Sequence, residues 1–214
     1  MTGRVTSRDL KLIHAAHPAT LIAIEWGEKV TLQNHSYLDF VDFVHRGIAY
    51  AACEMSQNPK GAKVRDENDL TREVVGYLRT MGFDAEFDAT VGGHADVVVK
   101  FGDYQWIGEA KIFTSVPWLY KGYLQLLTRY STGMVDQDCG GMLIYIKTGS
   151  CPDKMEDWKK RLGEYVNKKA GSGATISTLD KPAMAFESAQ KHRRSGRNYR
   201  VTHVPFLLTW DPAV

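Results

Sequence analysis

Two apolar stretches, Ala95–Phe101 and Tyr104–Ile112, are separated only by Gly102-Asp103. A glycine-containing two-residue link between runs of strand length is the connection of a β-hairpin. That leaves the chain little freedom. The register set by such a turn puts Asp96 opposite Glu109, and the two-residue alternation of a strand puts Glu109 and Lys111 on one face. Two carboxylates and an ammonium are therefore expected to converge on a hairpin that is otherwise apolar, with Val97, Val98, Val99, Trp106 and Ile107 around them.

The flanking sequence extends this hairpin into an α/β domain. Asp66 or Asn68 caps a helix whose apolar face is Leu70, Val74, Tyr77, Leu78 and Met81, and Phe83–Ala89 reads as a further strand. Pro117 opens a second helix that runs through Tyr130. Met142–Lys147 is a continuous apolar run of the length of a buried strand. Pro152–Ala170 reads as a basic amphipathic helix, and Ala183–Gln190 and Tyr199–Trp210 as strands around the polar turn His192–Asn198. The order helix, three strands, helix, strand places a mixed sheet between helices. The N-terminal 60 residues read as a helical and hairpin extension packed on this core. Thr20 to Asn34 is expected to be a hairpin turning at Gly27-Glu28, and Tyr37 to Met55 a helix with Leu38, Val41, Val44 and Ile48 along one stripe. Pro59 to Gly61 is a break, which divides an extension of residues 1–60 from a domain of residues 61–214.

Composition narrows the classes of partner. With 43% hydrophobic and 24% charged residues among 214, the chain is long enough to bury a core without a metal or disulfide staple. Cys53, Cys139 and Cys151 are odd in number and lack Cys-x-x-Cys spacing, which fits a reducing compartment. The most apolar N-terminal run, Leu21 to Ile24, is broken at once by Glu25, so neither a signal peptide nor a spanning helix is expected. The expected location is the cytoplasm, with no membrane partner. A net charge of +2 hides an asymmetry, because residues 154–200 carry 12 basic and 5 acidic side chains. Lys159, Lys160 and Arg161, Lys168 and Lys169, then Arg193, Arg194, Arg197 and Arg200 suit phosphate contacts or a solvated surface. Trp158 and Tyr199 stand nearby, either to stack on bases or to pack in the core.

Carboxylate oxygens beside a lysine suit a hard divalent cation such as Mg²⁺ or Mn²⁺, with room left for a phosphate. The lysine would orient the attacking water and offset charge in the transition state. The plain alternative is a cross-strand Glu–Lys pair. No Cys or His spacing suits zinc, and no Walker-type loop is present in the sequence.

Asp96, twelve intervening residues and then Glu109-Ala110-Lys111 resemble the PD-(D/E)xK signature of restriction-endonuclease-like nucleases, over about residues 66–147. His94-Ala95 stands where that signature begins with proline. The resemblance implies a core of αβββαβ order and hydrolysis of phosphodiester bonds in DNA, with RNA left open. It implies Mg²⁺, with Mn²⁺ able to substitute, held by Asp96, Glu109 and the Ala110 carbonyl, while Lys111 positions the water. An acidic residue on the first helix of such nucleases corresponds to Glu73, expected to bind a second metal or a metal-bound water. A glutamine on their second helix corresponds to Gln125, and Arg129 stands where many of them carry a tyrosine. The competing expectation is a catalytically silent nuclease-like module that binds nucleic acid or protein. Specificity is expected to come from loops, the N-terminal 60 residues, a second copy in a homodimer, or a partner protein.

Overall fold

The computed structural model describes residues 17–170, 175–180 and 182–212, and for residues 166–170 the backbone alone. Among the described residues, four helices precede the sheet: α1 (Pro18–Thr31), α2 (Tyr37–Ser56), the short α3 (Pro59–Lys63) and α4 (Glu67–Thr80). The strands β1 (Asp84–Thr90), β2 (His94–Phe101) and β3 (Tyr104–Ile112) follow. Next come α5 (Val116–Gln125), a π-helical turn (Leu126–Tyr130), β4 (Cys139–Ile146) and α6 (Cys151–Ala170). β5 (Thr175–Thr178), β6 (Phe186–Lys191) and β7 (Asn198–Leu207) are the last of the described elements.

The seven strands form one mixed sheet in the order β1-β2-β3-β4-β7-β6-β5. Its centre, β3-β4-β7, is parallel, and both wings are antiparallel. Each face carries its own core. On one side Trp26, Phe40, Val44, Leu70 and Leu78 from α1, α2 and α4 meet Val97, Val99, Leu143 and Phe206. On the other, Leu119 and Tyr123 of α5 and Trp158 and Leu162 of α6 meet Val98, Ile107, Ile144 and Val201. β4 is buried along its whole length, as a central parallel strand covered on both faces must be.

Local signals account for most boundaries. Ser36 and Asp39 form a capping box on α2, and Asp66 caps α4 by accepting from the Asp69 amide at 2.8 Å. Gly102 adopts φ +56°, the left-handed conformation that the tight β2–β3 turn requires. The expected hairpin at Thr20 to Asn34 is instead helix α1. Ile22 and Trp26, one turn apart, are its buried residues, and the indole packs against Phe40, Phe43 and Phe101. Burial of that face overrides the weak turn signal of Gly27, which lies exposed on the open side. The expected break at Pro59 to Gly61 is the one-turn helix α3, capped by Asn58. The expected helix to Tyr130 is α-helical only to Gln125 and continues as the π turn. β5, which the sequence did not announce, adds an edge strand to β6. Among the described residues no helix is long and apolar enough to cross a membrane, and the three cysteines are unpaired.

Candidate active site

The β2–β3 ladder runs from Phe101↔Tyr104 to Val97↔Gly108, the register expected from the turn. Beyond it the strands part. The β1–β2 ladder passes over Asp88 and Asp96, and Asp88 takes up a left-handed φ of 52°. At this kink Asp96 leaves the ladder, and its Oδ2 accepts the Ala110 N–H at 2.7 Å. The carboxylate thereby serves the backbone group that the departing strand leaves unpaired.

Lys111 is the hub of the cluster. Its Nζ lies 3.0 Å from Glu109 Oε1, 3.1 Å from Glu67 Oε1 and 3.7 Å from Asp96 Oδ2, and it donates to the Ala110 carbonyl at 2.7 Å. Glu67, the first residue of α4, also accepts the Ile112 N–H through Oε2 at 2.7 Å. Two further contacts seat this end of α4. Thr71 Oγ1 meets the Tyr145 hydroxyl at 3.0 Å, and Lys147 donates to the Arg65 carbonyl at 2.6 Å. From the opposite face, α5 brings Gln125. With its amide oriented to satisfy both neighbours, Gln125 donates to Glu109 Oε1 and accepts from Arg129 Nη1, each at 3.3 Å.

Glu109 is the unusual member. Its side chain is 2% exposed, and its Oε2 has no hydrogen-bond partner among the described residues. An orphaned carboxylate oxygen in a dry site is costly unless something else satisfies it. Burial, and then the charge of Asp96, push the Glu109 carboxyl up to about 7. Burial also raises Asp96, opposed by Lys111 and the Ala110 N–H. Burial pulls Lys111 down, but Glu109, Asp96 and Glu67 more than offset it and hold the ammonium charged. Among the described residues no three His, Cys, Asp or Glu side chains stand as a ready metal cage, and the Lys111 ammonium fills the space between the carboxylates.

Asp96, Glu109, Lys111, the Ala110 carbonyl and Gln125 are thus brought together, and Glu73 is not among them. The Glu73 carboxylate is paired with Arg65, on the half-exposed side of α4. Glu67, two turns earlier, takes the place next to Lys111. Its only sequence signal was its position just after the Asp66 cap, at the end of the helix that must face a strand end. His94 pairs with Asp88 at 3.1 Å and is largely exposed.

The basic segment is dispersed. Lys159 donates to Thr178, and Arg161 shares its guanidinium between Asp157 and Glu164. Arg194 donates to the Ser131 carbonyl, Arg197 pairs with Asp138, and Arg200 reaches Cys139 Sγ at 3.1 Å. Lys160 and Arg193 are exposed, and the Lys168 and Lys169 side chains lie outside those described. In the sheet register Glu109 is level with Met142 and His203, so Arg200 lies two strands away and about 10 Å back along β7. Trp158 and Tyr199 are buried core residues and offer bases no surface. Comparisons of the chain with protein families, with curated proteins and with solved structures find no match.

Proposed function

We propose that the chain is a metal-dependent nuclease with a restriction-endonuclease-like core, hydrolysing phosphodiester bonds in DNA. The observation that carries this reading is the Oε2 of buried Glu109, which finds no hydrogen-bond partner among the described residues, beside Asp96 and Lys111 at the point where β2 and β3 part. Folding gains nothing from such an oxygen, whereas a hard cation is matched by it. The residues fit Mg²⁺ or Mn²⁺ through Asp96, Glu109 and the Ala110 carbonyl. A bound divalent ion supplies positive charge that acidifies a water and neutralises a phosphate. The chain's own groups supply the rest. Lys111 keeps its proton, and once Asp96 and Glu109 are taken over by a cation it has an N–H free for a water or a phosphate oxygen. Glu67 and Gln125 are positioning residues: Glu67 holds Lys111 and the Ile112 amide, and Gln125 holds Glu109 Oε1.

One observation favours the second reading, a silent module that binds nucleic acid or protein. Lys111 already acts as an internal counter-ion, with four oxygen neighbours. Supercoiled plasmid separates the two. Nicking in Mg²⁺ that EDTA stops and Lys111→Ala abolishes is expected, and plasmid and single-stranded circular DNA both left intact at high enzyme concentration in Mg²⁺ and in Mn²⁺ would overturn the nuclease reading.

A further inference from the structure

α5 touches the acidic cluster along its whole length. Trp118, Gly122, Gln125 and, in the π turn, Arg129 follow at intervals of four, three and four residues, which is one stripe of a helix. Gly122 lies on the Lys111 stem so closely that an added Cβ would come within 2.9 Å of Lys111 Cγ. The Lys111 ammonium is 5.9 Å from the Trp118 ring centroid, and Lys121 lies 5.2 Å from the same ring. Gln125 reaches Glu109, and exposed Arg129 reaches Gln125. Trp26, Trp106 and Trp158 are buried, whereas Trp118 is 39% exposed at the rim of the site.

We infer that this stripe is the track for a single strand of nucleic acid, with Trp118 stacking an unpaired base and Lys121 and Arg129 contacting phosphates on either side of the Glu109–Lys111 cluster. Lys121 lies over the exposed indole, and when its flexible ammonium turns to a phosphate the π surface is left to a base, so the pair matches a base flanked by phosphates. Bases inside a duplex are stacked on one another and cannot use it. From Trp118 to Arg129 the stripe spans about 16 Å at ~1.5 Å per residue. That is the length of roughly four or five stacked nucleotides at ~3.4 Å each. The predicted basic segment 154–200 has no equivalent continuity with the cluster. The inference rests on the nuclease reading only for where the reacting phosphate sits.

Strand binding is measured without metal, in EDTA, by tryptophan fluorescence and by anisotropy of labelled oligonucleotides. The probes are oligothymidylate, oligouridylate and a blunt duplex of the same length. Saturable quenching by the single strands is expected, and the two arms show whether deoxyribose or ribose is preferred. Trp118→Phe should abolish the quenching and keep most of the affinity. Trp118→Ala should weaken binding roughly 5- to 150-fold, since stacking contributes about 1–3 kcal/mol per base. Trp210→Phe, the other exposed indole, should leave the quenching unchanged. Replacing both Lys121 and Arg129 by alanine should flatten the log–log salt dependence by roughly 1.4, at ~0.7 per phosphate for single strands. Quenching that survives Trp118→Phe, duplex bound as tightly as single strand, or no single-strand binding would each overturn the inference. Strand binding without cleavage in Mg²⁺ would remove the nuclease reading and leave the track standing. Cleavage with an inert Trp118 would do the reverse.

Discussion

Two buried polar clusters lie side by side under α5, and they are built on opposite principles. In one, Trp158 Nε1 donates to His203 Nδ1 at 3.1 Å, so His203 Nε2 carries the proton and donates to Ser188 Oγ at 2.9 Å. Ser188 in turn meets the Tyr123 hydroxyl at 3.3 Å, and His203 stacks on Phe186 with centroids 4.3 Å apart. Every member is neutral and partnered. In the other cluster, Glu67, Asp96 and Glu109 surround the single ammonium of Lys111, and one Glu109 oxygen is left over. The first cluster satisfies buried polarity at little electrostatic cost. The second desolvates charge that does not balance, which a fold has no reason to keep unless the charge is used.

The largest effect that would break this contrast is the removal of its hub. Lys111→Met leaves three carboxylates without their counter-ion and should cost about 3–5 kcal/mol of stability at pH 8, as for other buried pairs that lose one partner. Denaturant unfolding measures it, and a loss below about 1 kcal/mol would mean that water already screens the cluster.

Metal linkage comes next. At a free Mg²⁺ concentration 100 times its dissociation constant, the fold should gain about 2.7 kcal/mol, a melting shift of roughly 5–10 °C for a chain of this size. Asp96→Asn and Glu109→Gln should each lose the shift, whereas His203→Phe should keep it. Equal shifts in all four proteins would place the ion elsewhere.

In the absence of metal the two clusters should respond to pH with opposite signs. Burial lowers His203 to about 3 and His45 to about 4, below the unfolded value of 6.5. The unfolded chain then binds more protons, so each histidine's contribution is full above pH 6.5 and is lost as pH falls towards its folded value, by about 1.4 kcal/mol per pH unit. Glu109 is raised from 4.5 to about 7, so its contribution has the reverse slope: stability falls as pH rises between about 4.5 and 7. Unfolding free energies at intervals from pH 4.5 to 7 should therefore lose part of their positive slope in His203→Phe and gain positive slope in Glu109→Gln. Identical profiles for the two variants and wild type would show that neither group is as desolvated as its burial indicates.

The smallest effect separates the two glutamates of α4. Glu73→Gln breaks a half-exposed pair with Arg65 and should cost under about 1 kcal/mol, with cleavage intact. Glu67→Gln should depress turnover more than stability, and equal turnover in the two variants would remove Glu67 from the site.

The difference between Glu67 and Glu73 marks how far the sequence could be read. Both lie near the start of a helix that was legible from its cap and apolar stripe, but neither spacing nor capping says which carboxylate reaches a lysine 44 residues further on. Glu67 reaches it because α4 is seated on β4 through Thr71–Tyr145 and Lys147–Arg65, contacts that span 74 and 82 residues. The same limit explains α1, where the burial of Trp26 among Phe40, Phe43 and Phe101 decided between helix and hairpin.

The sequence by itself determined the β2–β3 register, the shared face of Glu109 and Lys111, the capped helices and the buried central strand, because these follow from turn length, strand alternation and caps within a few residues. Only the tertiary structure decided that Asp96 leaves the ladder to serve Ala110, that Glu67 joins Lys111, that Arg161, Arg194, Arg197 and Arg200 are held by other partners, and that α5 lays Trp118, Gln125 and Arg129 over the cluster. Those outcomes depend on which faces of distant elements are buried together, and local spacing carries no record of that.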